Sequence, residues 1–245
     1  IELVMPNSEE INFTDATGNL SFTVKDNIVS VKQENGKIVF TPIKEGNTVV
    51  TVNVAGSNNF ESTSVNVYVT VRLGTLTPSK IGNTEVTYNG KAHKAYDLII
   101  TPSPDKITYT WEENGNFKSS NSIPSFTEAG SYLVSYSASK VNYTSIYGTG
   151  KLTIKSKPIT NDMISLNQTE FIFNEGKAIT PEVTVTDKEL GKLTKDKDYI
   201  ITYSNNTHPG TATVTVTGIG NYSGKGSKNF LIKTATIQVK ETDGN

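Results

Sequence analysis

Apolar and polar residues alternate along much of the chain. In SVNVYVTV (64–71), Val65, Val67, Val69 and Val71 occupy every second position. The same alternation recurs in VVTVNV (49–54), KLTIK (151–155) and TATVTVTG (211–218). A period of two residues over five to eight positions predicts a half-buried β-strand. We find no segment with a convincing period of 3.6 residues, so the pattern predicts an all-β protein.

Turn residues separate these runs at short intervals. Asn35-Gly36 lies between IVSV and IVF, and Asn114-Gly115 follows the run ITYTWEE. An Asn-Gly pair between two strands favours a tight hairpin, because both residues tolerate the positive φ that such turns require. Many short strands joined in this way predict a β-sandwich or barrel.

An internal repeat divides the chain. Residues 46–62, 130–145 and 210–224 each begin with Gly, continue as an alternating strand and end with Asn followed by an aromatic residue. The repeated pairs, spaced about 80 residues apart, are Asn59-Phe60, Asn142-Tyr143 and Asn221-Tyr222. The repeat predicts three tandem sandwich domains, residues 1–73, 74–156 and 157–245, joined by the Pro- and Gly-containing seams RLGTLTPSK and KSKPITND.

The repeated aromatic residues are structural candidates. A ring that follows a turn can close the open end of a sandwich while its polar edge binds a backbone carbonyl. We therefore predict that Phe60, Tyr143 and Tyr222 each fill the end of their own domain.

The segment VTGIGNYSGKGS (216–227) is rich in glycine and contains Lys225, which invites comparison with a phosphate-binding loop. A P-loop requires a Gly, then four intervening residues, then Gly-Lys and a Ser or Thr, but Ile219 stands at the first Gly position and Gly226 at the hydroxyl position. Such loops also precede a helix, whereas KNFLIK predicts a strand. The segment is the third copy of the repeated turn, and we expect no nucleotide site there.

The composition of the chain reduces the number of functional classes that it could belong to. The formal net charge is -1, the pI is about 6.2, and Arg72 is the single arginine. A chain with no basic field and a single arginine is poorly suited to binding nucleic acid. No apolar run approaches the roughly 20 residues that cross a bilayer. The absence of cysteine excludes disulfides, thiolate metal sites and cysteine nucleophiles.

The sequence resembles known bacterial repeats. VKDNIVSVKQENGKIVFTPIKEGNTVVTVNV in the first unit resembles bacterial immunoglobulin-like domains of the Big type. The third unit resembles a related repeat through GKAITP, DY, YSNN, GTATVTV and GIGNYSG, and the second retains YNGKA, AGSYLVSYS and VNY. The resemblance implies Greek-key β-sandwiches arranged in an elongated array on secreted or wall-attached proteins of Gram-positive bacteria, without catalytic residues.

Few residues suggest chemistry. His93 and His208 fall in different units, so we expect no metal site and no catalytic triad. Residues 186–199 carry four acidic residues, but the lysines among them oppose a cation, so a solvated loop is the simpler interpretation. Lysine and asparagine residues beside acids leave open an intramolecular Lys-Asn isopeptide bond of the kind found in some Gram-positive surface domains.

The single tryptophan, Trp111, permits two interpretations. It shares a strand face with Ile107 and Tyr109, which favours a ring in the core or at its edge. When the second unit is aligned with the third, Trp111 corresponds to Asn205, which lies beside a turn, and this favours an exposed ring. An exposed indole could bind a sugar ring, with Glu112, Glu113 and Asn114 available to its hydroxyls.

These observations predict a non-enzymatic, monomeric, extracellular rod without a cofactor. Three sandwiches end to end would span on the order of 100 Å, given about 30 Å for a nine-residue strand. Such a rod would space or present a contact surface, with a host or cell-surface protein and its neighbouring modules as expected partners. The alternative is a polysaccharide-binding module centred on Trp111. Because Ile237 and Val239 resume the alternation after FLIK, residues 234–245 predict a linker or the start of a further module, and we expect the natural protein to be longer.

Overall fold

The computed structural model describes residues 1–12 and 19–235. Within these ranges the chain forms 27 β-strands and one 3₁₀ turn, Asn161–Met163. No helix among the described residues is long and apolar enough to cross a membrane. Ile237 and Val239, predicted to belong to a linker or to the start of a further module, lie outside the described residues. We use the predicted boundaries to name module 1 (1–73), module 2 (74–156) and module 3 (157–245).

Module 1 shows the sandwich most simply. Its strands are β1 (Glu2–Val4), β2 (Glu9–Asn12), β3 (Leu20–Val24), β4 (Val29–Glu34), β5 (Lys37–Pro42), β6 (Gly46–Val54) and β7 (Thr63–Arg72). One sheet has the order β1-β7-β6-β3 and the other β2-β5-β4. Only β1, which runs parallel to β7, departs from antiparallel pairing. Because β2 and β3, β3 and β4, and β5 and β6 lie in different sheets, the connections follow the Greek-key arrangement of an immunoglobulin-like sandwich.

Module 2 has the same principal sheet. Its strands are β8 (Gly74–Thr75), β9 (Thr77–Pro78), β10 (Thr84–Thr87), β11 (His93–Lys94), β12 (Ile100–Thr101), β13 (Lys106–Glu113), β14 (Asn116–Ser120), β15 (Ser125–Phe126), β16 (Gly130–Ser139), β17 (Tyr143–Thr144) and β18 (Ile146–Lys155). The large sheet has the order β10-β18-β16-β13-β14, and β10 is parallel to β18 as β1 is to β7. Two short antiparallel pairs, β9 with β12 and β11 with β15, complete the second layer.

Module 3 repeats this plan. Its strands are β19 (Lys157–Pro158), β20 (Ile164–Leu166), β21 (Glu170–Ile172), β22 (Val183–Asp187), β23 (Gly191–Lys192), β24 (Tyr199–Ser204), β25 (Gly210–Gly218), β26 (Tyr222–Ser223) and β27 (Lys225–Lys233). The principal sheet is β21-β27-β25-β24, again with its first strand parallel to its last, and β20-β22-β23 faces it. The all-β class predicted from the alternation is confirmed.

Each module has its own apolar interior. In module 1, Leu3, Phe40 and Val50 are fully buried in one cluster, and in module 2 a second cluster surrounds Val134 and Leu152. The interior of module 3 consists of two clusters, one around Val185 and Val216 and one around Ala212, Phe230 and Ile232. The first of these also contacts Tyr88 of module 2. Burial of apolar side chains therefore occurs separately along the chain, and Tyr88 of module 2 packs against the interior of module 3.

The local predictions hold in detail. Asn35-Gly36 joins β4 to β5 with φ values of 49° and 77°, and Asn114-Gly115 joins β13 to β14 with 51° and 74°. Positive φ at both turn positions identifies type I′ hairpins. Val69 and Val71 are buried as predicted, whereas Val65 on the same face is 58% exposed because it lies near the start of β7, beyond the core.

Candidate functional site at the module joints

The repeated Asn-aromatic turn forms the same backbone hydrogen bond in all three modules, although its positive-φ residue is Asn142 in module 2 and Gly220 in module 3 and is absent from residues 57–60 of module 1. It follows the strand that begins with Gly, namely β6, β16 or β25. In each turn the aromatic residue donates its N–H to the carbonyl three residues earlier: Phe60 to Ser57 at 3.2 Å, Tyr143 to Lys140 at 3.1 Å and Tyr222 to Ile219 at 3.1 Å. The sequence repeat is thus a repeat of structure.

In modules 2 and 3 this turn binds the first residues of its own module. Gly74 N–H donates to the carbonyl of Asn142, and Lys157 N–H donates to that of Asn221, both at 2.9 Å. Strand β8 runs parallel to β17, and β19 runs parallel to β26. We call β8 and β19 the leading strands. The turn therefore fastens the chain at the point where it passes from one module to the next.

At the first joint the leading strand is enclosed on two sides. A Cβ atom at Gly74 would lie 2.6 Å from the Tyr143 ring and 2.7 Å from the carbonyl oxygen of Met5 in module 1. Distances below 3 Å are too short for a side chain, so only glycine fits between the ring and the neighbouring module. Tyr143 is partly buried by this contact.

At the second joint two modules meet directly. Tyr222 is 3% exposed and packs edge-to-face with Tyr88 of module 2, with ring centroids 5.8 Å apart. The Asn221 side chain accepts a hydrogen bond from Ala129 N–H at 2.7 Å and donates another to the Glu128 carboxylate. An amide that is satisfied as both donor and acceptor fixes the orientation of the modules as well as their contact.

A tyrosine corner holds the module 2 side of this joint. Tyr132, near the start of β16, donates its hydroxyl to the carbonyl of Glu128 at 2.8 Å, and its ring stacks on Phe126 at 4.0 Å. This bond fixes the segment that Asn221 contacts. We did not predict this tyrosine corner from the sequence. The signal was Tyr132 two residues after Gly130, at the beginning of the predicted strand.

A buried ionic cluster lies beneath the second joint. Asp187 is 2% exposed, and both of its oxygens lie about 3.0 Å from the Lys157 ammonium nitrogen (3.0 and 2.9 Å). Lys157 also contacts the Glu189 carboxylate at 2.8 Å, and the Tyr222 hydroxyl donates to Asp187 at 3.2 Å. The prediction of a solvated loop over residues 186–199 is wrong for Asp187, because Lys157 brings it a partner from 30 residues away.

The charges of this cluster are mutually stabilised. Burial acts to raise the pKa of Asp187, but hydrogen bonds from Lys157 and from the Glu189 N–H outweigh it and hold that pKa below its usual range. Burial acts to lower the pKa of Lys157, but Glu189 and Asp187 outweigh it and raise that pKa. Burial, followed by the charge of Asp187, raises the pKa of Tyr222. Lys157 is therefore stabilised as an ammonium by the two carboxylates it contacts.

The tryptophan lies at the edge of the module 2 core. Trp111 is half-buried and meets the Phe126 ring edge-to-face, with centroids 6.3 Å apart. Its Nε1 is buried and has no hydrogen-bond partner among the described residues. Glu112, Glu113 and Asn114 are exposed as expected. The exposed ring of this hairpin belongs instead to Phe117, 85% exposed, which pairs across the strands with Glu112.

The remaining polar candidates have local partners. His93 contacts Asn89 at 2.9 Å, and His208 contacts Thr207. Asp198 accepts the Thr194 N–H at 2.8 Å. Within residues 1–12 and 19–235, no group of three or more histidine or acidic residues is arranged to hold a metal ion. The glycine-rich segment 216–227 forms β26 and its turns and leads into β27, without a helix.

Phe60 differs from the other two aromatic residues of the repeat. Its ring is 63% exposed, so the prediction that it fills the end of module 1 is wrong. For Tyr222 the prediction of a buried ring is correct, but its hydroxyl binds a carboxylate and not a backbone carbonyl. Whether each of these rings is buried depends on whether a leading strand and a neighbouring module pack over it.

No protein-family model and no curated protein matches the sequence. Among solved structures, an I-band fragment of titin, I67–I69, is similar at 11% identity, covering 96% of this chain and 95% of that one, with a TM-score of 0.35. The first four immunoglobulin domains of Dscam1 are similar at 8% identity, covering 96% of this chain and 71% of that one, with a TM-score of 0.35. Drosophila N-cadherin EC1-4 is similar at 11% identity, covering 96% of this chain and 72% of that one, with a TM-score of 0.31.

The strand order of the sheets carries the assignment of fold. In the principal sheet of each module, the first strand runs parallel to the last strand. That last strand in turn pairs with the strand that precedes the Asn-aromatic turn. This arrangement is typical of immunoglobulin-like sandwiches. The chain is an all-β array of tandem immunoglobulin-like β-sandwich modules.

Proposed function

We propose that this chain is a non-enzymatic segment of a secreted or wall-attached bacterial surface protein, in which immunoglobulin-like modules set in series hold a contact surface away from the cell. The observation that carries the proposal is the second joint, where Asn221 and Tyr222 bind module 2 directly. A spacer requires such a joint, because a flexible tether would not maintain distance or direction. The resemblance to bacterial immunoglobulin-like repeats supports the location and the Gram-positive source.

The joint can be tested by distance measurement. Since the chain has no cysteine, Lys118→Cys and Thr202→Cys allow one spin label in module 2 and one in module 3 without a background. We expect a narrow distance distribution by pulsed electron paramagnetic resonance. The double variant Asn221→Ala, Tyr88→Ala should broaden it, because it removes two hydrogen bonds and an aromatic pair, together about 2 kcal/mol.

A matched control separates the joint from general destabilisation. Asn229 accepts a hydrogen bond from Thr213 within module 3, away from the joint, so Asn229→Ala should leave the distribution narrow. A broad distribution in the unmodified chain would show a flexible tether and refute the spacer. A distribution that stays narrow in the double variant would show that Asn221 and Tyr88 do not fix the joint.

A second candidate function, polysaccharide binding, is favoured by one observation. Phe117 and Tyr147 are 85% and 75% exposed on the outer face of the module 2 sheet, and Glu112 pairs with Phe117. The hydroxyls of Thr108, Ser135 and other small residues occupy the strands between the two rings. The electron-rich face of an aromatic ring attracts the C–H groups of a sugar, and the hydroxyls and carboxylate can bind sugar hydroxyls.

We expect Phe117→Ala to weaken any such binding by about tenfold or more, because one stacked ring contributes on the order of 1–2 kcal/mol. Isothermal titration against soluble β-glucan, xylan and mannan measures it. Tyr68→Ala removes an equally exposed ring from module 1 and should have no effect. Absence of binding to all three glycans, or equal loss in both variants, would reject this second function.

A further inference from the structure

The Asn59-Phe60 turn of module 1 matches the turns that bind leading strands in the other modules. A Cβ atom at Gly56 would lie 2.9 Å from the backbone nitrogen of Ser62, and one at Gly218 would lie 2.5 Å from that of Ser223. Both glycines thus lie close to the backbone that leaves their turn, opposite the second residue after Phe60 and the first residue after Tyr222. The shared bond from the aromatic N–H, described above, completes the match. The φ values of the turns differ, with Asn142 at 68°, Gly220 at 63° and no positive φ in residues 57–60, but the turns of modules 2 and 3 both bind a leading strand despite this difference.

Module 1 differs from modules 2 and 3 in that no leading strand is bound to its turn among the described residues. Among residues 1–12 and 19–235, no backbone N–H from outside the strand ladders donates to the carbonyl of Asn59, whereas Asn142 and Asn221 each bind a leading strand. Phe60 is 63% exposed, compared with 3% for Tyr222. The Phe60 ring and the Asn59 carbonyl together form an open edge on module 1.

The occupied turns define what fits such an edge. The first residue of the leading segment donates its N–H to the Asn carbonyl, and the third residue, Leu76 or Ile159, is 2–3% exposed in the module core. Thr follows the aliphatic residue in both segments, which read GTLT (74–77) and KPIT (157–160). An occupant is therefore an extended strand with an aliphatic third residue and a small or cyclic second residue.

The register of the parallel strand pairs also shows how a segment ahead of β1 would reach this edge. Glu85 of β10 pairs with Thr153 of β18, and Glu2 of β1 pairs with Thr70 of β7, so Ile1 corresponds to Thr84. In module 2, residues 74–83 connect the leading strand to that point. A segment of the same length joined to the amino end of β1 would reach Phe60 by the same route.

We propose that the Asn59-Phe60 turn is a docking site for the leading strand of an immunoglobulin-like module, an extended segment of the type Gly-Thr-Leu-Thr. This inference rests on the proposed function, because it applies the joint of modules 2 and 3 to module 1. The docked strand would cover the Phe60 ring, bind the Asn59 carbonyl and bury its aliphatic residue in the module.

The test places that segment in position on the full chain. A copy of residues 74–83, GTLTPSKIGN, is fused ahead of Ile1, and amide hydrogen exchange of residues 57–62 is followed by mass spectrometry. We expect exchange there to slow by about tenfold, the effect of one or two new hydrogen bonds. Phe60→Ala in the fused chain should restore fast exchange. Because that ring is exposed, the variant is expected to fold.

A matched segment controls for simple extension of the chain. The same fusion with its leucine replaced by Asp should give no protection, because a charge cannot enter the core. Equal exchange in fused and unfused chains, or equal protection by the Asp-containing segment, would overturn the proposal. Failure of the proposed function appears separately, as a broad distance distribution between modules 2 and 3, since this exchange experiment reports on module 1 alone.

Discussion

Phe40→Ala is expected to lower the free energy of unfolding of module 1 by about 3–5 kcal/mol while leaving modules 2 and 3 unchanged. Among the residues that the structure describes, Phe40 is the largest fully buried side chain, at 0% exposure, and it lies on β5 beside the buried Ile38 and Val39. Truncation leaves a cavity that the surrounding strands fill only in part. The loss is confined to module 1 because its cluster contains no residue from beyond Leu73.

Two local probes can follow this variant. Hydrogen exchange in β5 reports on module 1, and the fluorescence of Trp111, the single tryptophan, reports on module 2. Phe60→Ala makes the same change at a 63% exposed position of module 1 and should cost under 1 kcal/mol. If denaturant unfolding of Trp111 shifts together with β5 in Phe40→Ala, the modules unfold as one unit and the interpretation of separate interiors is wrong.

Asp187→Asn is expected to destabilise module 3 by about 2–3 kcal/mol. Removing one member of a buried ion pair typically costs 3–5 kcal/mol, and the lower value reflects the partial exposure of Lys157 and its second partner, Glu189. Thermal or denaturant unfolding measured at neutral pH tests the size of the effect. Asp196→Asn, at an exposed carboxylate in the same module, should change stability by under 0.5 kcal/mol.

The same pair predicts the direction of the pH dependence. The pKa of Asp187 is lowered by folding, so its contribution is present above the unfolded pKa near 3.9 and is lost as the pH falls through the lower folded value. The pKa of Lys157 is raised, so its contribution is present below about 10.4 and is lost as the pH rises through the higher folded value. In Asp187→Asn the acid-side slope of stability should be smaller. An unchanged slope would show that folding does not lower the pKa of Asp187.

Local features of the fold follow from neighbouring residues. Alternation places Val69 and Val71 in the core because successive side chains of a strand point to opposite faces. Asn35-Gly36 specifies its hairpin because both residues accept positive φ at little cost. The recurrence of the Asn-aromatic pair about every 80 residues indicates a repeated unit without any knowledge of its contacts. These inferences depend on separations of a few residues, where backbone geometry is decisive.

The roles of the repeated residues depend on contacts far apart in the chain. Asn221 binds Ala129, 92 residues away, and Tyr222 binds Asp187 across 35 residues. Tyr222 and Phe60 stand at equivalent positions, yet one is buried and the other is exposed. No local pattern distinguishes them, because the difference lies in what packs over each ring.

The sequence by itself therefore determined the strands, the tight turns and the threefold repeat, since each depends on the conformational preferences of adjacent residues. Only the tertiary structure decided that the Asn-aromatic turns fasten leading strands, that Asp187 is buried against Lys157, and that Phe117 and not Trp111 presents the open ring. Burial and pairing between distant residues are properties of the packed chain, and residue type alone does not specify them.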